Sequence, residues 1–343
     1  MAKDPLVFVI VLNFNGIGYL NNCLLSLELQ TYSNFRILVY DNASTDDSLE
    51  FIRKNFPSIL LIQGKKNFGF AEGNNLATIY ALNKGADYVF LLNNDTAVEK
   101  DALEKLISTA ESDAPIGIVS PAVFDLTETS SIQEMGMAVD KFGYPLALKN
   151  PFSNGLTVFF VSGCAMMIKS ELIRKIGFFD EKYFMFAEDL DLCWRAQLAG
   201  YKISVNSYAK IFHASGASLS GGVIKGSSYN TNVKRVFLRE RNTIRTLIKN
   251  YDAANLLKIV PFYVGLLLFE SFFWSLILKP NTSKNILKAI FWNITGFPDT
   301  FKQRLIVQSF RKVKDPEITR KMVKGYCKLS IFRSVGVPTF VEK

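Results

Sequence analysis

Three short polar clusters in the N-terminal third of the sequence could bind an anionic ligand through a metal ion. They are NFNG at 13–16, DNASTDD at 41–47 and NND at 93–95, and each follows an apolar run. Carboxylate oxygen and imidazole nitrogen are both ligands of divalent metals, and Mg²⁺ or Mn²⁺ keeps further positions open for diphosphate oxygens and water. Asp95 and His213, the single histidine, are therefore the candidate metal ligands.

The same residues also have purely structural interpretations. Asn93, Asn94 and Asp95 are ordinary turn-forming residues. His213 could end a strand with its hydrogen bonds satisfied within the fold. Each residue taken alone leaves the choice open.

A second acidic segment, FAEDLDLCW at 186–194, offers a proton acceptor. Glu188, Asp189 and Asp191 precede a helical pattern, so they could simply complement the dipole at the start of a helix. Alternatively, a carboxylate that helix-end amides keep ionised accepts the proton of an attacking hydroxyl within hydrogen-bond reach. The segment therefore supplies a candidate general base.

Two further stretches could contact the organic part of a ligand. Asp41 ends a predicted strand, where its carboxylate could accept the imide N–H of a pyrimidine base or belong to a cluster of helix-capping residues. In KKNFGFAEGNNLA, 65–77, Gly69 and Gly73 flank Phe70 and let the backbone approach a ligand closely. The alternative is a strand-to-helix loop with Asn74 as its cap.

The sequence also excludes several chemistries. It contains no P-loop and no G-x-G-x-x-G, so phosphate must be bound in another way. Its four cysteines have no paired spacing that would indicate a zinc site or a disulfide framework, which favours a reducing compartment. The N-terminus lacks the layout of a signal peptide, and we expect a cytosolic start.

Alternating strands and helices must position these residues. Strand-like and helical patterns alternate along the first part of the chain: LVFVIVL, CLLSLEL, FRILVY, TDDSLEFIRKNF, SILLIQ, AEGNNLATIYALNKG, DYVFLLN and KDALEKLISTA. Nearly continuous apolar strands indicate a mostly parallel sheet with helices on both faces, an α/β fold. Ligands bind beyond the carboxyl ends of such strands, so the polar clusters should share one crevice. Within LLNNDTAVEK, 91–100, we expect a buried strand that passes into a surface helix.

The C-terminal third carries the positive charge of the protein. Residues 234–343 contain 21 Lys and Arg against 7 Asp and Glu, a net charge of +14, within a total of +9. The apolar run at 259–278 is long enough to span a bilayer, since a helix of that length reaches about 30 Å. One crossing would export the lysine-rich residues after it, against the positive-inside tendency. We therefore expect an interfacial or re-entrant helical region on an anionic membrane surface rather than a true span, and no nucleic-acid partner. The alternative is a soluble helical cap packed on the core or a dimer partner.

Taken together, the motifs resemble the family 2 glycosyltransferases of the GT-A fold, and most of all the rhamnosyltransferase-type enzymes of cell-surface polysaccharide assembly. They are VLNFNG, DNASTD, NFGFAEGNN, LLNNDT, SGCAMMIK, GFFDEKYFMFAEDLDLCWRAQLAGY and FHASGAS. The resemblance implies a glycosyltransferase domain over 1–245, with a nucleotide-binding half to about 115 and an acceptor half from 116. Residues 246–343 are then a basic, apolar helical region that associates with the membrane.

The resemblance also implies roles for single residues. Asp189 is the catalytic base, with Glu188 beside it. Asp95, the last position of the family's Asp-x-Asp motif, and His213 hold Mg²⁺ or Mn²⁺; the first position is Asn93 here, which leaves one carboxylate fewer. The residues expected around the donor nucleotide and its diphosphate are Asn13, Asn15, Asp41, Asn67, Gly69, Phe70, Asn74, Asn93, Asn94 and Arg241.

The predicted enzyme moves a sugar, with inversion, from a dTDP-, UDP- or GDP-linked donor to a hydroxyl of a glycan or lipid-linked acceptor at the cytoplasmic face of the cell membrane. A sugar-phosphate nucleotidyltransferase is one alternative, but no glycine-rich basic fingerprint lies near the first strand. A non-catalytic nucleotide-sugar or glycan-binding subunit of the same fold is another, and Asn93 favours it.

Overall fold

The computed structural model describes residues 4–149, 154–214, 224–225 and 228–340. Contacts divide these residues into two units. The sheet unit comprises the described residues within 1–137, 147–184 and 201–215, and the helical unit comprises those within 138–146, 185–200 and 216–343.

Fifteen strands occur in the described part of the chain. In order they are β1 (Val7–Asn13), β2 (Phe35–Asp41), β3 (Leu60–Gln63), β4 (Tyr88–Asn93), β5 (Thr96–Val98), β6 (Ile116–Asp125), β7 (Ile132–Glu134), β8 (Met137–Val139), β9 (Pro145–Ala147), β10 (Asn154–Thr157), β11 (Ala165–Lys169), β12 (Lys202–His213), β13 (Ile224–Lys225), β14 (Ser228–Thr231) and β15 (Thr339–Phe340). The main sheet lies in the sheet unit and has the order β10-β12-β6-β11-β4-β1-β2-β3, with β5 on β12 and β7 on β6. β13, β14 and β15 form a small sheet in the helical unit.

The same ranges contain twelve α-helices. In order they are α1 (Ile17–Glu28), α2 (Ser48–Asn55), α3 (Gly69–Asn83), α4 (Ala102–Ser112), α5 (Ser170–Ile176), α6 (Glu188–Leu198), α7 (Val233–Asn250), α8 (Ala253–Leu276), α9 (Pro280–Thr295), α10 (Phe297–Ser309), α11 (Asp315–Thr319) and α12 (Cys327–Val335). A 3₁₀ helix spans Glu181–Tyr183. Helices α1 to α5 belong to the sheet unit and α6 to α12 to the helical unit.

The main sheet confirms the predicted α/β fold. β1 pairs in parallel with β2 and β4, and β2 pairs in parallel with β3. β11 is antiparallel to its neighbours β4 and β6. Val7, Val9 and Val11 pack in a core cluster that includes side chains of α1 and α4, while Phe8 and Ile10 on the other face of β1 are also fully buried. Burial on both faces explains why the strands are continuous apolar runs.

One local prediction was wrong. Residues 96–98 do not start a helix but form β5, and α4 begins only at Ala102. β5 pairs with β12 in an antiparallel register that sets Thr96 opposite His213. Because its partner strand lies far along the chain, no local pattern could have indicated this pairing.

The helical unit is built around α7, which contacts α6, α8, α9 and α10. A buried ion network joins α6 to α7: Asp191 pairs with Arg195 at 2.8 Å and with Lys249 at 2.9 Å. The pairing matters because a buried charge left without its partner costs about 3–5 kcal/mol. Residue 245, the predicted end of the first domain, lies inside α7. The functional boundary there stays a prediction.

One helix of the described chain, α8, is long and apolar enough to cross a membrane, by length and composition. Pro261 lies within it. Only 17% of its most apolar window is buried. Its outward faces are therefore unusually apolar for a helix in contact with water.

Candidate active site

Polar residues at the carboxyl ends of β1, β2 and β4 meet in one hydrogen-bonded chain. Asn94 donates from Nδ2 to Asn13 Oδ1 at 2.8 Å, and Asn13 donates from Nδ2 to Asp41 Oδ1 at 2.9 Å. Ser44 donates to Asp41 from its Oγ at 2.6 Å and from its backbone N at 2.9 Å. The three polar clusters therefore converge at one edge of the sheet.

Asp41 is fully buried behind this edge. Its carboxylate accepts the three hydrogen bonds from Asn13 and Ser44, whereas an ionised carboxylate has about four acceptor sites. Asp41 thus orients Asn13 and Ser44, and its contact with a base stays a prediction. Asn15, by contrast, is exposed, adopts a φ of 51° and accepts from Thr45 N at 2.8 Å.

Asn42 fixes the glycine-containing loop before α3. Its Nδ2 donates to Asn67 Oδ1 at 3.1 Å and to Gly69 O at 3.0 Å. Gly69 has a φ of +81°, and a Cβ at this position would lie 2.4 Å from the Phe184 ring. Only glycine fits there without a shift of the loop. Asn67 itself is exposed at the rim of the crevice.

Phe70 and Asn74 lie on the first turns of α3. The backbone N–H of Phe70 donates to Phe184 O at 2.6 Å, and its ring lies 5.9 Å from that of Phe179. Asn74 is buried inside the helix, where Nδ2 donates to Phe70 O at 2.9 Å. It therefore does not cap α3, and the capping interpretation was wrong. The predicted contacts of both residues with a nucleotide sugar stay predictions.

Strand pairing brings His213 to Asp95. The β5–β12 register sets the histidine beside the turn that ends β4. Its Nε2 lies 3.2 Å from Asp95 Oδ1, and Asn93 Nδ2 lies 3.4 Å from the same nitrogen. The remainder of the FHASGAS motif, 215–218, lies outside the described residues.

Gln133, which no sequence motif singled out, orients this imidazole. Its Oε1 lies 3.2 Å from His213 Nδ1, and its Nε2 donates to the His213 backbone O at 2.8 Å. An amide oxygen only accepts, so Nδ1 carries the proton and Nε2 presents a lone pair towards Asp95. Gln133 reaches this position through the pairing of β7 with β6.

The geometry of Asp95 and His213 fits a divalent metal ion. Oδ1 of Asp95 is buried and accepts no hydrogen bond from the described residues, although an unpartnered buried carboxylate oxygen is costly. The imidazole lone pair faces it at 3.2 Å, close to the ~3 Å between adjacent ligands of an octahedral ion with bonds of about 2.1 Å. Among the described residues, no group of three or more His, Cys, Asp or Glu side chains is arranged to hold a metal ion. These two residues would hold Mg²⁺ or Mn²⁺, with diphosphate oxygens and water completing its coordination.

The acids at the start of α6 have different environments. Asp191 is held in the buried ion network of the helical unit. Glu188 is buried as well, and burial together with the charge of Asp189 raises the pKa of its carboxyl well above the usual range. Asp189 is partly exposed. Asp189 is therefore the carboxylate of this group that a substrate could reach, because Glu188 is buried and Asp191 is engaged.

The backbone leading into α6 is held in an uncommon conformation. Phe186 and Ala187 have φ values of +74° and +65°, which cost about 1–3 kcal/mol each for residues other than glycine. Asn242 of α7 stabilises this segment by donating from Nδ2 to the backbone O of Met185 at 2.9 Å and of Phe186 at 2.7 Å. Asn242 thus positions the segment that precedes Asp189.

Arg241, predicted to face the diphosphate, contacts neighbours within the helical unit. Its Nε donates to Asn242 Oδ1 at 2.8 Å, and its guanidinium lies 4.7 Å from the centre of the Trp292 ring. The side chain is nearly buried. It therefore orients Asn242, and its contact with a diphosphate stays a prediction.

A largely parallel sheet with polar residues at its strand ends is the arrangement of the GT-A fold, which solved glycosyltransferase structures share. The family profile described as "Glycosyl transferase family 2" matches residues 8–177, about half of the chain. The chain belongs to this family of enzymes, and the predicted likeness to rhamnosyltransferases is confirmed.

Named relatives and a solved structure agree with this assignment. The low-salt glycan biosynthesis hexosyltransferase Agl10 of Haloferax volcanii is 26% identical over 164 residues, which cover 47% of this chain and 52% of the relative. The N-acetylglucosaminyl-diphospho-decaprenol L-rhamnosyltransferase of Mycobacterium tuberculosis is 25% identical over 232 residues, 60% of this chain and 75% of the relative. The chain thus spans about half the length of the first relative. The crystal structure of GalNAc-T7 with UDP, GalNAc and Mn²⁺ shares the fold, with a TM-score of 0.60 at 14% identity over 86% of this chain and 58% of that one.

Asn242→Asp is expected to lower kcat for sugar transfer while changing the KM for the donor little. The substitution removes the donor to two backbone carbonyls, so the strained segment before Asp189 relaxes. Loss of such a buried hydrogen bond costs about 1–3 kcal/mol of unfolding free energy. Steady-state kinetics and thermal unfolding measure both effects.

Asn285→Asp on α9 is the matched control, because its Nδ2 donates to a carbonyl of its own helix. An equal fall of kcat in both variants, or an unchanged kcat in Asn242→Asp, would contradict the positioning role.

Proposed function

We propose that this glycosyltransferase acts with inversion and moves a sugar, with L-rhamnose as the first candidate, from a nucleotide-diphosphate donor to a hydroxyl of a glycan or lipid-linked acceptor in surface polysaccharide or glycolipid synthesis. The observation that carries the proposal is the pair formed by Asp95 and His213, in which a buried oxygen that accepts no hydrogen bond from the described residues faces an imidazole nitrogen at 3.2 Å. The choice of sugar and acceptor is supported by the printed names of the relatives, one a hexosyltransferase and one an L-rhamnosyltransferase for a diphospho-decaprenol acceptor.

The proposed reaction is a single displacement. The acceptor hydroxyl oxygen forms a bond to the anomeric carbon while the bond from that carbon to the diphosphate oxygen breaks. The hydroxyl proton passes to Asp189, and the bonding electron pair leaves with the nucleoside diphosphate. A positioned base of this kind contributes typically ~10²–10⁴-fold. A bound Mg²⁺ or Mn²⁺ supplies positive charge that offsets the charge on the two phosphates.

Exposure divides the donor-site residues into two groups. Asn15 and Asn67 are exposed, whereas Asn13, Asp41 and Asn74 are buried. We propose that the exposed amides contact the nucleotide and that the buried side chains hold the loops that carry them. We therefore expect substitution of an exposed amide to lower the nucleotide affinity directly, and substitution of one of the buried side chains to disorder the loop that it holds.

A non-catalytic subunit that binds a nucleotide sugar is the second candidate. The feature that favours it is Asn93, which stands where the family's motif has a carboxylate. A metal held by one carboxylate and one imidazole binds more weakly than one with two carboxylates. Release of free nucleoside diphosphate from a sugar donor separates the candidates, because the non-catalytic subunit would bind without turnover.

The direct test is calorimetric titration of the purified chain with dTDP, UDP and GDP, each with and without Mn²⁺. We expect one nucleotide to bind in preference, and only that binding to be strengthened by Mn²⁺. Bovine serum albumin under the same conditions controls for heats of metal–nucleotide association. Folded protein that binds none of the three would count against the donor site.

Location at the membrane is part of the same proposal. Nucleotide sugars and a lipid-linked acceptor meet where a cytoplasmic enzyme touches the bilayer. The apolar, lysine-rich helices of the helical unit support a peripheral or re-entrant association there. The helix α8 alone is weak support, since core helices of soluble proteins pass the same test of length and composition.

A further inference from the structure

Exposed apolar side chains are concentrated on three consecutive helices of the helical unit. Among the described residues, more than half of the large apolar side chains that are exposed lie between 253 and 309, on α8, α9 and α10 or the turns between them. On α8, Phe269 is 70% and Phe272 is 62% exposed; on α9, Phe291 is 65% exposed; and on α10, Leu305 is 57% exposed. Exposed apolar area on this scale indicates a surface that binds another protein or a membrane.

The opposite side of α8 makes polar contacts with the rest of the helical unit near the start, in the middle and near the end of the helix. At its start, Asn255 donates from Nδ2 to Asp315 at 2.8 Å. In its middle, Tyr263 donates to Glu240 at 2.5 Å. Near its end, Glu270 pairs with Lys328 at 2.6 Å. The helix thus has one side fixed to the helical unit and one apolar side left open.

The charges around the open side are positive. Within residues 253–309, all of which the structure describes, Lys258, Lys279, Lys284, Lys288 and Lys302 are exposed. The two acids of this stretch are engaged: Glu270 with Lys328, and Asp299 with Arg245 at 2.7 Å. An apolar face with a lysine rim is complementary to a bilayer that contains anionic lipids.

A shallow groove on this surface combines both properties. Phe237 of α7 lines it together with Leu287, Phe291 and Trp292 of α9, and Lys284 and Lys288 stand at its edge. The groove has a volume of about 520 Å³. Its aromatic and aliphatic lining suits acyl chains, and its two ammonium groups suit the phosphates of lipid headgroups.

The geometry points to a monotopic docking surface: α8, α9 and α10 lie in the plane of an anionic bilayer, with their open apolar sides in its interface, and α8 does not cross it. A crossing would carry Glu270 and the partner groups of Tyr263 into hydrocarbon, where charged and polar groups are costly. A helix in the interface instead buries its apolar face by about 5–10 Å and leaves the polar contacts outside. This inference deepens the proposed function and rests on its lipid-linked acceptor.

Vesicle flotation of the full chain tests the docking surface. We expect the protein to float with phosphatidylcholine vesicles that contain phosphatidylglycerol and to bind pure phosphatidylcholine at least tenfold more weakly. Phe269→Asp with Phe272→Asp should abolish flotation. Lys284→Gln and Lys288→Gln should weaken binding to the anionic vesicles by roughly fivefold each.

Leu29→Asp is the matched control, because Leu29 is 71% exposed but lies in the sheet unit. Equal loss of flotation in the Leu29 and Phe269 variants would overturn the inference. So would unchanged flotation of the Phe269/Phe272 variant together with conversion of a dimer to a monomer in light scattering, which would make the surface an interface between two copies of the chain.

Labelling with a membrane-impermeant maleimide distinguishes the in-plane helix from a span. Ala254→Cys and Ser309→Cys place thiols in the first turn of α8 and at the end of α10, while the four native cysteines are buried. Labelling of both positions from the cytoplasmic side supports the docking surface, and labelling of position 309 from outside the cell overturns it.

Nucleotide titration of the docking variants keeps this test separate from the proposed function. Variants that lose vesicle binding should bind the donor nucleotide as the unmodified chain does. Absence of nucleotide binding in the unmodified chain would count against the proposed function, while the flotation result would still decide the docking surface.

Discussion

Asp189→Asn is expected to lower the rate of sugar transfer by about 10²–10⁴-fold while nucleotide binding is retained. The amide has the same shape as the carboxylate but does not take the proton of the acceptor hydroxyl. Donor binding should persist, because the residues predicted to contact the nucleotide and metal in the sheet unit are unchanged. The measurement is turnover of the nucleotide sugar with calorimetry on the same preparation.

Two variants control this experiment. Glu181→Gln removes an exposed carboxylate from the neighbouring 3₁₀ helix and should leave turnover near that of the unmodified enzyme. Asp191→Asn should instead lower the melting temperature, because Lys249 and Arg195 lose their buried partner. Unchanged turnover in Asp189→Asn would remove Asp189 as the base.

The assignment of the base depends on environment rather than on the sequence of the acidic run. Glu188 and Asp189 are adjacent and chemically alike, yet burial raises the pKa of Glu188 well above its usual range. Burial disfavours the ionised form that accepts a proton and also keeps the Glu188 carboxyl away from an acceptor hydroxyl, whereas Asp189 is partly exposed. The sequence identified the segment, and only the three-dimensional packing separates its members.

Much of the sheet unit was predictable because its signals are local. The apolar runs that became β1 to β4 and the helical patterns that became α1 to α4 were all recognised, and their polar ends meet as expected. Buried strands need continuous apolar residues and covering helices need periodic ones, so both leave a pattern in neighbouring positions. The convergence of Asn13, Asp41 and Asn94 then follows from the parallel arrangement of the strands.

The parts that were not predictable depend on contacts between distant segments. β5 was taken for the start of a helix because three residues are too few to show the alternation of a strand. Its partner is the C-terminal end of the long strand β12. Gln133 and Asn242 have their roles only because β7 pairs with β6 and α7 packs near α6. A glutamine is common in any sequence, so residue type alone did not single out Gln133.

Asp95→Asn is expected to abolish the strengthening of nucleotide binding by Mn²⁺ and to leave the weak metal-free binding unchanged. Loss of a residue that merely orients a metal ligand costs about 10–100-fold in metal affinity, so loss of a ligand itself should cost at least as much. His213→Gln should act in the same direction, because it removes the facing nitrogen at 3.2 Å. Calorimetry with and without Mn²⁺ gives both affinities, and Glu28→Gln, an exposed carboxylate on α1, is the control.

Stability distinguishes a metal site from a turn that is only structural. Without metal, Asp95→Asn should unfold at the same temperature as the unmodified chain or higher, since Oδ1 accepts no hydrogen bond from the described residues and a neutral amide is cheaper to bury than a carboxylate. With Mn²⁺ and nucleotide the order should reverse, because ligands that bind the native state stabilise it. If chelation leaves the nucleotide affinity of the unmodified chain unchanged and the variant is less stable, Asp95 serves the turn, where its backbone O accepts from Ala214 N at 3.0 Å. A stable variant that has lost only the Mn²⁺ effect would instead establish Asp95 as the metal-binding carboxylate of the donor site.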